Sequence, residues 1–126
     1  MRRLIAIVGC LLVAACLVLV TKVASSSKDA RTDCSSFRFD RQTWNDLTGD
    51  EPTPRQRQAD GLVDCRLLVG LTTRQVIAML GTPEERAAGE LAYVTGGERS
   101  PIEVDSEFLY IRTENGSVAA AELGSG

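Results

Sequence analysis

Residues 70–83, GLTTRQVIAMLGTP, spell out one short helix with both ends punctuated. Thr72 suits an N-cap, and Gln75, three residues on, can reach back to the cap's own N–H, which makes a capping box. Leu71 before the cap and Val76 within the helix have the spacing of a hydrophobic staple. Gly81 fits the left-handed position that follows a last helical turn, and Pro83 keeps the helix from resuming. Val76, Ile77, Met79 and Leu80 give this segment a wide apolar face, yet a helix of about two turns does not persist alone in water. The chain must therefore fold so that another layer covers that face. Arg74 is the only charge inside the helix, so the segment builds a scaffold and carries no chemistry of its own.

The same start signal occurs earlier, with Thr53 as N-cap, Pro54 at the first helical position and Gln56 at the third. Ala59, Leu62, Val63 and Leu67 then fall on one face, with Gly61 costing about 1 kcal/mol relative to alanine in a helix interior. Gly70 is expected to end this helix and join the two as a tightly connected αα-hairpin. Upstream, Trp44 reads as a core anchor. Beyond Pro83 the period changes from helix to strand: 91–95 is one candidate strand, 107–113 the strongest, and Asn115 with Gly116 the favoured pair for a type I′ turn returning through 118–123. That turn sets a register in which Glu114 faces Ser117, Thr113 faces Val118, Ile111 faces Ala120 and Leu109 faces Glu122. Tyr110 then faces Ala121 and Phe108 faces Leu123 on the other side. The side with Leu109 and Ile111 is expected to receive the helices, leaving Phe108, Tyr110 and Leu123 as an apolar strip open to a partner. The expected fold is α+β, a helical hairpin on a three-stranded antiparallel sheet (ααβββ), preceded by an N-terminal membrane segment.

That segment is residues 4–20, seventeen positions without a charge, after Arg2 and Arg3 and before Lys22. At 1.5 Å per residue it reaches roughly 25 Å as a helix, within the range for a membrane anchor. Two readings compete. Residues 13–16, VAAC, resemble a lipobox, which would make Cys16 a lipidation site. The apolar run continues past Cys16, which favours an uncleaved signal anchor. Cys34 and Cys65 are the only thiols outside this run, and in an exported domain such a pair is more often a disulfide than a metal or redox site. The expected organisation is a leader at 1–23, a flexible tether at 24–36, a folded domain at 37–123 and a tail at 124–126.

The 126 residues carry a net charge of −3 with no histidine at all. An acidic balance disfavours nucleic acid as a partner, and the lack of histidine removes the usual general base near neutral pH and the histidine-containing zinc sites. Scattered carboxylates such as Asp40, Glu84, Glu85 and Glu103 share no motif context, so no catalytic, cofactor-binding or metal-ligating set is read, nor a small-molecule substrate.

The pattern Gly70, Thr72, Val76, Leu80, Gly81, Pro83, supported by Phe39, Asp40, Trp44, Tyr93, Gly116 and Val118, resembles the SmpA/OmlA family of BamE-like small envelope lipoproteins over roughly 39–123. The resemblance implies a two-layer domain without catalytic residues, displayed in the bacterial envelope and acting through contacts with other envelope proteins. The helix-pair-on-sheet order also resembles secreted β-lactamase-inhibitor proteins, with the loop at 96–105 as the element that would enter an enzyme's cleft. Expected partners are an envelope protein and, through the N-terminus, the membrane.

Overall fold

The structure is a computed structural model describing residues 31–99, 102 and 105–126; the anchor, Cys16 and most of the expected tether lie outside the described residues. Among the described residues no helix is long and apolar enough to cross a membrane. The compact unit that carries the fold is Thr32–Gly126, which extends the expected domain at both ends.

Three helices, α1 (Arg41–Trp44), α2 (Pro54–Asp64) and α3 (Thr73–Leu80), precede four strands: β1 (Glu85–Ala87), β2 (Glu90–Gly97), β3 (Ser106–Glu114) and β4 (Ser117–Ser125). Both capping boxes form. The Gln56 N–H donates to Thr53 Oγ1 at 3.1 Å while Gln56 Oε1 accepts from the Thr53 N–H at 2.7 Å; Gln75 and Thr72 repeat this at 3.1 and 2.9 Å. Asp40 caps the short α1 through the Thr43 N–H. Gly61, a cost when α2 is considered alone, is required by packing, because the Phe37 ring occupies the space a Cβ would need.

Helix α2 does not run on to Gly70. It closes at Cys65 with Leu67 N–H donating to Leu62 O and Arg66 N–H to Val63 O, both at 3.1 Å, around Arg66 at φ 52°. This is a Schellman closure with arginine at the position glycine usually fills. The whole of 65–72 therefore separates α2 from α3, and the tight hairpin is corrected to two helices joined by this longer segment, with α1 packed against both.

The last residues of the expected tether are also ordered against α2. Cys34 and Cys65 are joined as a disulfide with Cα atoms 5.4 Å apart. The Thr32 N–H donates to Asp64 Oδ2 at 3.1 Å, and Asp33 accepts from the Ser35 N–H and from the hydroxyls of Ser35 and Ser36.

The sheet has four antiparallel strands in the order β1-β2-β3-β4, not three. The additional β1 is a three-residue edge strand, Glu-Arg-Ala, fully exposed and without any apolar run that would mark it in the sequence. The β3–β4 hairpin starts in the expected register, Glu114 with Ser117 and Thr113 with Val118, and Asn115 and Gly116 both sit at positive φ, as the turn demands. An irregularity at Ala119 then inserts one residue, so Ile111 pairs with Ala121 and Leu109 with Leu123. That slip moves Leu123 to the helix-covered face, where Ala121 and Leu123 pack against the core. Gly124 and Ser125 belong to β4 rather than to a tail.

Leu91, Tyr93, Leu109, Ile111 and Val118 on the inner sheet face meet Trp44, Ala59, Leu62, Leu68, Val76 and Leu80 in one core. Trp44 is fully buried and its Nε1–H donates to Leu80 O at 2.9 Å; Tyr93 Oη donates to Gly81 O at 2.8 Å. Both accepting carbonyls lie at the end of α3, where a helix leaves its last C=O groups without intrahelical donors. Burial, with Glu84 adding to it, pushes the Tyr93 hydroxyl up to about 12, so it remains a donor at any physiological pH. Arg55 completes the arrangement, its guanidinium 4.9 Å above the Trp44 ring and its Nε–H donating to Trp44 O at 2.6 Å.

Tyr93→Phe leaves the Gly81 carbonyl without its donor and is expected to cost about 1–2 kcal/mol, read as a lower urea midpoint at unchanged slope. Replacing Cys34 and Cys65 together by serine is expected to lower stability by roughly 3–4 kcal/mol in the same measurement, the loss expected when a loop of about thirty residues is no longer closed.

Candidate interaction surface

Strand alternation and the observed register arrange the outer sheet face in three rows across β2, β3 and β4. Val94, Phe108 and Gly124 form the first; Ala92, Tyr110 and Glu122 the second; Glu90, Arg112 and Ala120 the third. The face thus grades from apolar to charged along the strands. Phe108 and Tyr110 stack at 5.7 Å between centroids with an interplanar angle of 26°. Both rings lean over the end of β4, where a Cβ at Gly124 would come within 3.1 Å of the Tyr110 ring and one at Gly126 within 3.5 Å of Phe108. The two glycines leave room for the aromatics to lie flat, and both rings are half-buried. Next to Tyr110, Glu90, Arg112, Ala120 and Glu122 border a shallow depression of about 280 Å³. Among the described residues nothing packs over this face, since α1, α2 and α3 all lie on the other.

Phe108 and Tyr110 therefore stand together on the outer face as expected, and Leu123 does not join them. A stacked aromatic pair beside a rim of mixed charge suits contact with another macromolecular surface, with the rings providing buried area and the rim hydrogen bonds.

The sequence-level carboxylates have separate duties. The Thr43 hydroxyl and N–H hold the Asp40 carboxyl below its usual range. Glu84 Oε2 accepts from the Val94 N–H at 3.0 Å, with Oε1 3.6 Å from Arg55. Glu85 lies in β1, and Glu103 is outside the described residues.

A polar cluster beneath the β2–β3 loop was not legible from the sequence. Arg99 forks onto both Asp60 carboxylate oxygens at 2.8 and 2.9 Å and also donates to Glu107 Oε1 at 3.0 Å, which accepts from Thr95 Oγ1 at 2.7 Å as well. Burial draws the Arg99 guanidinium down, but the bonds from Asp60 and then Glu107 outweigh it and leave its pKa raised. Gln56, fully buried, adds its Nε2–H to Gly97 O at 2.8 Å. Every buried side-chain polar atom among the described residues has a partner, so this cluster ties the loop to α2 and offers no unmet valence to a ligand. Among the described residues no group of three or more potential metal ligands assembles.

No protein-family model and no curated protein sequence matches this chain.

Asp33, Asp40 and Asp46 all have carboxyls lowered from 3.8, each chiefly by a hydroxyl donated from a nearby serine or threonine. A carboxyl lowered in the folded state stabilises above its unfolded pKa, and that contribution is lost as pH falls through the lower folded value. Thermal melting is therefore expected to be flat from about pH 7 to 5 and to decline below about pH 4. Asp40→Asn is expected to flatten that acid limb.

Proposed function

We propose that this chain is a non-enzymatic interaction module of the bacterial cell envelope, held at a membrane through residues 1–23 with its folded domain on the extracytoplasmic side. The observation that carries the reading is the stacked Phe108–Tyr110 pair, half-buried on the sheet face opposite the helices. Apolar surface of this kind on a small domain marks a place where another molecule sits. The Cys34–Cys65 bridge supports an oxidising compartment, because such bonds persist in exported domains and are rare in the cytosol. The uncharged run at 4–20 supports the tether, either as a signal anchor or through acylation of Cys16. The resemblance to BamE-like proteins supports an assembly role among envelope proteins.

A second reading, inhibition of an extracytoplasmic hydrolase, draws on the β2–β3 loop. Its base is held by Arg99 on Asp60 and by the Glu98 N–H on Asp105 O, while Ile102 is 75% exposed.

The test is a photo-crosslinking amino acid placed at Phe108 or Tyr110 in the full chain, with Glu114 as control position. Adducts to one envelope protein are expected at the two aromatic positions and not at Glu114. Tyr110→Ser is expected to melt within a few degrees of the parent chain and to lose at least tenfold of the Phe108 adduct. Adducts formed equally at all three positions, or at none, would overturn the reading.

A further inference from the structure

Strand order leaves β4 at an edge of the sheet. Its first residues are covered there: Gly70 N–H donates to Val118 O at 2.9 Å, Val118 N–H donates to Leu71 O at 2.8 Å, and Thr72 bridges Ser117. Val118 thus turns its N–H and C=O away from β3. Past the inserted Ala119, ladder alternation gives the same outward aim to Ala121 and Leu123, and no described segment pairs with them. Exposed edges are usually blunted by proline or several charges. Here Glu122 is the only charge from Ser117 to Ser125, and its side chain belongs to the outer face.

A cleft of about 140 Å³ runs beside this edge, between Leu62, Val63, Leu68 and Val69 on one side and the alanines of β4 on the other, with Arg66 in its wall. Val69 is 38% exposed. Arg66 makes no ion pair or side-chain hydrogen bond among the described residues. It also occupies the left-handed position of the Schellman closure at φ 52°, where glycine would carry no steric cost. A cationic side chain is thus kept at a backbone position that disfavours it, beside an apolar cleft and an open strand edge.

We propose that this edge captures the free C-terminal end of an extended partner chain, added to the sheet as a fifth strand antiparallel to β4. The direction follows from the cover over Val118 together with the charge beside it, since a parallel strand would begin there and bring its terminal ammonium to the Arg66 guanidinium. A strand running antiparallel to β4 heads toward the start of β4, where Gly70 and Leu71 block its path, so the incoming chain must end there. Its terminal carboxylate then meets Arg66, whose guanidinium matches a carboxylate with two parallel hydrogen bonds. The last side chain enters the cleft, whose volume suits valine or leucine. Main-chain bonds to Ala121 and Leu123 supply the remaining contacts. This inference rests on the domain being a protein-binding module but uses a surface separate from the Phe108–Tyr110 face.

The full chain in detergent micelles is screened against hexapeptides with free carboxyl termini and against the same library amidated. Selection of free-acid peptides ending in an aliphatic residue is expected, with amidation weakening binding at least tenfold. Bound peptide should slow hydrogen exchange at the Ala121 and Leu123 N–H groups. Ala121→Pro deletes an N–H that β3 does not use and is expected to abolish binding. Arg66→Gly is expected to weaken binding at least tenfold while raising the melting temperature, a combination that a purely structural arginine would not give. Equal selection of free and amidated peptides, or unaltered exchange at Ala121 and Leu123, would overturn the proposal. Concentration-dependent dimers abolished by Ala121→Pro, with no peptide selected, would assign the edge to a second copy of the chain and likewise overturn it. Peptide binding unchanged in Tyr110→Ser separates the outcome at this site from that at the outer face.

Discussion

The end of α3 is held by two aromatic side chains from elsewhere in the chain. Trp44 gives its indole N–H to Leu80 O, and Tyr93 gives its hydroxyl to Gly81 O. A helix of eight residues has few hydrogen bonds of its own, so its position depends on what meets its ends and its apolar face. These two bonds tie the helix to α1 and to the centre of the sheet at once. Arg55 then fixes Trp44 from above through the ring face and the backbone carbonyl, and reaches Val94 O on β2. Helix, aromatic anchor and strand are thereby positioned by one set of neighbours.

What the sequence made legible is what local chemistry decides. Thr53 with Gln56, Thr72 with Gln75, and the Asn115–Gly116 turn all carry their information within four residues, and each forms as read; Gly81 does end α3, but as the C-cap at φ 88° and ψ −166°, outside the left-handed helical region expected of it. The burial of Trp44 and the choice of Leu109 and Ile111 for the inner face follow from side-chain character and period. The misreadings have a common origin in tertiary context. β1 has no apolar pattern because it is an exposed edge added by pairing with β2. The inserted Ala119 lies within a run of three alanines, where no change of side-chain character marks the slip, yet that slip is what turns Leu123 toward Leu109. Arg66 ends α2 because the helix closes at Cys65, which is bonded to Cys34; a reading that waits for glycine overshoots to Gly70.

The two candidate surfaces differ in the same way. Phe108 and Tyr110 alternate with Leu109 and Ile111, so their exposure could be inferred from period alone, whereas the glycines beneath them acquire meaning only in the observed register. The cleft beside β4 depends on a Schellman closure, a strand insertion and the cover of Val118 by Gly70 and Leu71, which meet only in three dimensions. The Asp60–Arg99–Glu107 cluster likewise spans α2, the β2–β3 loop and β3, with no spacing that announces it.

The Cys34–Cys65 bond also changes how the domain would transmit mechanical load. Tension arriving from the N-terminal side passes through the sulfur atoms directly to the end of α2 and leaves 35–64 as a covalently shielded ring. Phe37, Trp44 and the first two helices thus lie off the line of force. A pull on the chain would be borne first by 65–72, the segment that carries Arg66 at one end and covers the start of β4 at the other.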